Sequence, residues 1–177
     1  SWTLFAVFKT DDNTSTASIF NKSLYGGADN RIIMTRNANS AFECGFGGSA
    51  SNSLELTNPE TYTANTYRIL CYSYARRTGK TYLYQNGTQT ATATTGVDIT
   101  TNITNPYNMI IGAYNNTSGG ITSAVNFLTG NICEIIGYAT PNDMTDVQRQ
   151  TIEGYLSWKW GLQDKLPSTH PYKNVSP

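Results

Sequence analysis

Hydrophobic positions in the first 140 residues come in short runs, most of them alternating with polar ones, and turn-forming residues separate the runs. That period of two predicts strands. Residues 2–8, WTLFAVF, alternate loosely and lead into Thr10-Asp11-Asp12-Asn13-Thr14-Ser15, whose short polar side chains bond their own backbone and favour a turn. Residues 17–22 and 31–36 read as a second and third strand on either side of a turn at residues 25–30, and the three are expected to form a meander. Residues 41–46 alternate strongly before a Gly/Ser-rich loop, and residues 53–56 fit a short edge strand.

The clearest pairing signal follows. Residues 66–76 and 81–86 are Tyr-rich and are joined by Arg77-Thr78-Gly79-Lys80, a hairpin-type connection, and Asn86-Gly87 is a type I′ turn signal leading into residues 88–94. This predicts a three-stranded antiparallel unit. Residues 107–114 read as a buried strand, and residues 127–138 form the most apolar one, whose length predicts a central place in a sheet. Strands at this spacing predict an all-β fold, a two-sheet antiparallel jelly-roll sandwich.

The period then becomes helical. Pro141-Asn142-Asp143 breaks the strand, and Thr145 with Gln148 three residues on has the capping-box pattern, so a helix is expected from about Asp146. Gly161 is placed to end it and Pro167 to prevent resumption. At 100° per residue, Asp146, Arg149, Gln150, Glu153 and Ser157 share one face, and Val147, Thr151, Ile152, Tyr155, Leu156 and Trp158 cover the other. The apolar half is expected to lie on the sandwich with Trp158 buried. With no repeat or linker, one domain spans 1–177, strands over 1–140 and helix and tail over 141–177. Since Ser1 leads directly into strand-like sequence, the chain is expected to be a piece of a longer polypeptide with further fold upstream.

Composition agrees with the pattern and narrows the partners. The 177 residues are 38% hydrophobic and 14% charged, a bias toward strands joined by polar turns. Twelve basic and twelve acidic side chains cancel without a Lys/Arg cluster, which argues against nucleic-acid binding. No apolar run approaches the roughly 18 residues of a membrane helix, so membrane insertion is not expected. Cys44, Cys71 and Cys133 are odd in number and widely spaced, which fits buried strand residues rather than zinc ligands or a disulfide framework. Asn-x-Ser/Thr acceptors at Asn13, Asn21, Asn86, Asn102, Asn115, Asn116 and Asn174 are common in so Asn- and Thr-rich a chain.

Three segments carry a family resemblance. G-x-I-x-E-I-I-x-Y at 130–138, RQ-x-I-E-G-Y-L-x-x-K-W-G-L at 149–162 and L-P-x-x-H-P-Y at 166–172 resemble the C-terminal part of concanavalin A-like lectin/glucanase domains of the laminin-G-like type. The opening W-T-L-F-A-V-F-K resembles an early strand of that family. The resemblance implies a jelly roll often used for sugar or surface binding, of a kind found in bacterial surface proteins and in phage or other viral structural proteins. It implies no activity, because the fold hosts many functions.

The chemistry points the same way. Retaining glycosidases need two carboxyl groups about 5–5.5 Å apart, whereas Glu134 has Ile132 and Ile136 at its same-face positions, so Glu134 is expected to be a structural carboxylate and the domain no enzyme. His170, the only histidine, sits in H-P-Y and is expected to tie the tail to the sandwich. Calcium is the one cofactor considered, with Asp11-Asp12-Asn13 or Asp29-Asn30 as oxygen donors. Among twelve tyrosines, Tyr72, Tyr74, Tyr82 and Tyr84 are read as strand residues. Tyr25 with Asp29 and Asn30, and Tyr114 with Asn115 and Asn116, are the candidate ligand-binding residues, each pairing an aromatic face with hydrogen-bonding neighbours. The expected role is a non-catalytic, lectin-like module, extracellular or on a cell or virion surface, binding a glycan. The alternative is a purely structural capsid-decorating, tail-fibre or surface-layer domain contacting a neighbouring structural protein, and glycoside hydrolysis ranks third.

Overall fold

The computed structural model describes residues 1–12, 15–23, 31–36, 41–47, 56–58, 63–94, 107–115 and 124–177. The strands are β1 (Trp2–Thr10), β2 (Ala17–Lys22), β3 (Arg31–Arg36), β4 (Phe42–Gly47), β5 (Leu56–Thr57), β6 (Arg68–Ala75), β7 (Lys80–Gln85), β8 (Thr88–Thr94), β9 (Ile110–Ile111), β10 (Tyr114–Asn115), β11 (Ala124–Val125) and β12 (Gly130–Ala139). One helix, α1 (Asp146–Trp160), and a 3-10 turn, Gln163–Lys165, follow. Two five-stranded antiparallel sheets, ordered β12-β1-β6-β7-β8 and β5-β4-β3-β2-β9, make the jelly-roll sandwich, and β10 pairs with β11 beside them.

The β6-β7-β8 unit forms as its turns dictate. Asn86 and Gly87 have φ of 52° and 80°, the pair of left-handed residues a type I′ turn needs, and Gln85 faces Thr88 across it. Long-range pairing differs from the expected order. β1 joins no meander with β2; it lies between β12 and β6, and β2 opens the second sheet. β12 takes an edge place among the described residues, not the expected central one, and its apolar side chains are divided between its two faces. Ile132 and Ile135 pack on the inter-sheet core, and Cys133 and Ile136 on the cluster beneath α1. The expected strand over residues 107–114 is split into β9 and β10 by Gly112 at φ 78°, whose N–H bonds the Ile19 carbonyl at 3.1 Å.

Alternation in the first sheet feeds two cores. Leu4, Ala6, Phe8, Leu70, Tyr72 and Leu83 point between the sheets onto Ile19, Met34 and Phe42. Phe5, Val7, Ile69, Cys71 and Tyr84 point outward, where Leu156 and Leu162 cover them. Strands buried on both faces read as nearly continuous apolar runs, which explains the loose alternation of WTLFAVF. Burial pushes the Cys44 and Cys71 thiols well up, and both are free. Asn21 and Asn115 are fully buried, which removes them as glycan acceptors.

The helix starts and stops where expected but turns the other way. Thr145 and Gln148 form the capping box, and Gly161 closes the helix at φ 67°. The buried face carries Arg149, Glu153, Gly154, Leu156 and Ser157, whereas Val147 is 70% exposed, and Tyr155 and Trp158 are exposed as well. The reason is a charge network. Arg149 Nη1 donates to Glu153 Oε2 at 2.6 Å, Arg149 Nη2 to Asp146 Oδ1 at 3.1 Å, and His170 Nε2 lies 3.3 Å from Glu153 Oε2. The Tyr172 N–H donates to His170 Nδ1 at 3.2 Å, which leaves the ring hydrogen on Nε2 to reach Glu153. Ion pairing of this kind lets a polar face lie buried on the sheet.

The tail locks the helix down. A side chain at Gly154 would meet Tyr172 Cβ at 2.6 Å and its ring at 2.7 Å, so Tyr172 lies flush on the helix backbone, and one at Gly87 would meet His170 at 2.9 Å. Trp158 Nε1 donates to the Tyr172 carbonyl at 3.0 Å, and Lys173 Nζ donates to the carbonyls of Gln163, Asp164 and Leu166 at 2.8 Å each. At the other end Glu134 accepts from Trp160 Nε1 at 2.8 Å, Lys159 Nζ at 3.1 Å and Tyr155 Oη at 3.4 Å. Both Glu134 and His170 thus hold the structural places the sequence assigns them.

Two measurements check this docking. Leu156→Ala, which empties a fully buried site, should cost about 2–5 kcal/mol in urea denaturation. Trp158→Ala should cost about 1–2 kcal/mol, for one half-covered ring and one hydrogen bond; equal losses would place Trp158 in the core after all. Burial alone would raise the Glu134 carboxyl, but the Trp160 and Lys159 hydrogen bonds and the Lys159 charge outweigh it and hold it below the usual range. A depressed carboxyl stabilises the fold above its unfolded value of about 4.3 and loses that contribution as pH falls through the lower folded value. Glu134→Gln should lower Tm by on the order of 2 °C at pH 7, with the gap to wild type closing as the pH falls through the carboxylate range. A gap that persists in acid would mean the loss is steric.

Candidate functional site

α1 covers only part of the outer face of the β12-β1-β6-β7-β8 sheet, and the uncovered part is a groove of about 560 Å³. Its floor is the outward side of β6, β7 and β8, with Ser73, Tyr82, Tyr84 and Gln89, and its wall is the approach to α1, with Asp143, Thr145, Asp146 and Arg149. Alternation on β7 sends Tyr82 and Tyr84 to this face, where the rings stack at 6.2 Å between centroids and 29° between planes. The Arg149 guanidinium sits 3.9 Å from the Tyr84 ring centroid. Tyr84 is thereby buried beneath Arg149, and half-buried Tyr82 is the ring left facing the groove.

The electrostatics follow from this packing. Burial pushes the Tyr84 phenol up to about 12 against the pull of Arg149, so it stays a neutral hydroxyl across working pH. Burial alone would lower Arg149, but the Glu153 charge and hydrogen bond, with Tyr84 and Asp146, reverse this and hold its proton more tightly than usual. The guanidinium charge is therefore met from two sides by Glu153 and Asp146. Its Nε–H and Glu153 Oε1 are buried with no partner among the described residues. Asp143 accepts from Ser1 Oγ and, at 3.4 Å, from the Arg77 N–H. The mouth thus offers hydroxyl, amide and carboxylate groups around one aromatic face. A second groove of about 540 Å³ lies across the 141–145 segment, between Tyr138 and the Val147, Thr151 and Ile152 side of α1, and is more apolar.

The sequence-derived candidates fall elsewhere. Tyr25, Asp29, Asn30 and Asn116 lie outside the described residues. Tyr114 and Asn115 are buried on β10, where Ser23 Oγ donates to Tyr114 Oη at 3.2 Å, so neither presents a free face. Of the calcium candidates, Asp11 pairs with Lys9 at 2.6 Å and Asp12 with the buried Arg36 at 2.9 Å, while Asn13, Asp29 and Asn30 are not described. Among the described residues no three His, Cys, Asp or Glu side chains gather as a metal site would require, and no helix is long and apolar enough to cross a membrane. The groove residues Tyr82 and Tyr84 were legible only as strand residues. The usable signal is Tyr-x-Tyr, which puts two rings on one face of a strand.

Comparison with known proteins finds the same architecture. A carbohydrate-binding module of family 40 from the Ruminococcus gnavus IT-sialidase, bound to α2,3-sialyllactose, superposes with a TM-score of 0.62 at 14% identity, over 83% of this chain and 79% of that one. The native heptameric SAP-like pentraxin of Limulus polyphemus gives a TM-score of 0.57 at 16% identity, over 86% and 69%. The NanB sialidase of Streptococcus pneumoniae gives 0.65 at 16% identity, over 84% of this chain and 23% of the enzyme. At such identities the likeness establishes the fold alone. No curated protein sequence matches the chain. A family model matches residues 1–147, which contain the opening strand and the 130–138 strand of the resemblance and end before its 149–162 and 166–172 segments. The chain belongs to the concanavalin A-like lectin/glucanases superfamily.

Proposed function

We propose that this domain is a non-catalytic glycan-binding module acting outside the cell, on a cell or virion surface. The observation that carries the proposal is the groove beside α1, where the Tyr82 ring lies among Gln89, Asp143, Thr145 and Asp146. An aromatic face packs against the C–H groups of a pyranose, and flanking amide, hydroxyl and carboxylate groups bond its hydroxyls. Solved relatives of this fold that are described as carbohydrate-binding or bound to sialyllactose support a sugar as the ligand class. The non-catalytic part is supported by Glu134, which is engaged by Lys159, Trp160 and Tyr155 rather than set beside a second carboxyl group. Tyr25, Asp29, Asn30 and Asn116 are retained as further candidate ligand contacts, and Asp29 and Asn30 as candidate calcium donors.

A second reading, contact with a neighbouring structural protein in a surface or virion assembly, is favoured by one feature. Val147 and Tyr155 on the outward side of α1, with Tyr138 on the edge strand β12, leave large apolar side chains uncovered. Monomeric surfaces seldom carry such groups in contiguous patches.

A glycan array probed with the domain, with and without calcium, decides between them. Binding is expected, and Tyr82→Ala should weaken it about tenfold, the scale of one lost stacking contact. If Tyr25→Ala removes binding and Tyr82→Ala does not, the site involves Tyr25 and not the groove. Silence on the whole array in both conditions would remove the glycan reading and leave the structural one.

A further inference from the structure

We infer that the groove beside α1 selects neutral, hydroxyl-rich pyranoses and turns away acidic glycans, sialylated chains included. This rests on the glycan-binding reading above and adds the ligand's charge class.

The inference comes from how the groove's charges are already spent. Its lining holds two carboxylates, Asp143 and Asp146, and one cation, Arg149. That cation is not available to an incoming anion. Glu153 holds it at 2.6 Å and Asp146 at 3.1 Å, and its flat face is occupied by Tyr84 at 3.9 Å. An acidic sugar approaching Arg149 would meet the field of three carboxylates against one guanidinium, and like charges at short range weaken association.

A helix N-terminus is ordinarily a ready anion site, and the groove lies at one. Here that site is filled from within the chain. Gln148 N–H donates to Thr145 Oγ1 at 3.2 Å, Thr145 N–H donates to Gln148 Oε1 at 2.9 Å, and Asp146 places a negative charge in the first turn. What the groove still offers is suited to hydroxyls. The Tyr82 ring provides a stacking face, and Asp143 and Asp146 accept from sugar O–H groups.

The test compares neutral array glycans with their sialylated or sulfated counterparts, followed by titration of the best pair. The neutral member should bind at least about threefold to tenfold more tightly at low salt, and the ratio should shrink as ionic strength rises above about 0.5 M. Asp143→Asn combined with Asp146→Asn should collapse the ratio toward one, with a melting curve confirming that the variant folds. Tighter binding of acidic glycans overturns the inference and leaves the glycan-binding reading intact. Neutral binding that Tyr82→Ala does not weaken overturns it as well, because the selectivity then resides at another site. Failure to bind any glycan removes both.

Discussion

A carboxylate taken fully out of water has to be matched where it lies, and Glu153 is such a group. Its partner Arg149 comes from one turn earlier on the same helix, and His170 reaches it from the tail. Meeting that requirement fixes the rotation of α1 on the sheet. It also fixes where the chain turns back after Gly161, because His170 can reach Glu153 only if Leu166 to Tyr172 folds over the Asn86-Gly87 turn. Hydrophobic cover for Phe5, Val7, Ile69 and Cys71 then comes from Leu156 on the inward side of α1 and from Leu162 just past the Gly161 cap.

The groove is a by-product of the same choice. With Arg149 turned inward, its guanidinium lands on Tyr84 and buries one ring of the Tyr82-Tyr84 pair, leaving the other at the opening. One arginine thus neutralises the core carboxylate, caps a tyrosine and spends the positive charge of the site's wall. The architecture that stabilises the lid and the selectivity inferred for the groove have a common origin.

Legibility in the sequence divides along the range of the interactions. The β6-β7-β8 unit, the capping box and the Gly161 stop were all readable because each is written within a few residues: Asn86-Gly87 sets its own turn, and Thr145 with Gln148 its own cap. The position of β1 between β12 and β6 was not, because no local pattern distinguishes a partner nearby from one that arrives more than a hundred residues later. Helix orientation was misread for a different reason: amphipathicity assumes that the apolar face is the buried one, and Glu153 matched by Arg149 and His170 reverses the assumption. Tyr114 and Asn115 looked like rim residues from their loop neighbours, yet their own short strand carries them inside. Tyr82 was passed over because tyrosine is an ordinary strand residue, and only the span of α1 decides which strand tyrosines stay open.

The place of β1 bears on how the protein is made. Trp2 faces Ala139 on one side and Tyr74 on the other, so β1 leaves the ribosome before either neighbour, and β12 emerges long after β6. Until β12 emerges, the apolar run WTLFAVF has one paired edge and an outer face without its helix. Sheets closed by such distant contacts fold slowly and expose sticky surface while they wait. Synthesis rate and chaperone capture therefore bear on the yield of this domain alongside the strength of its finished core.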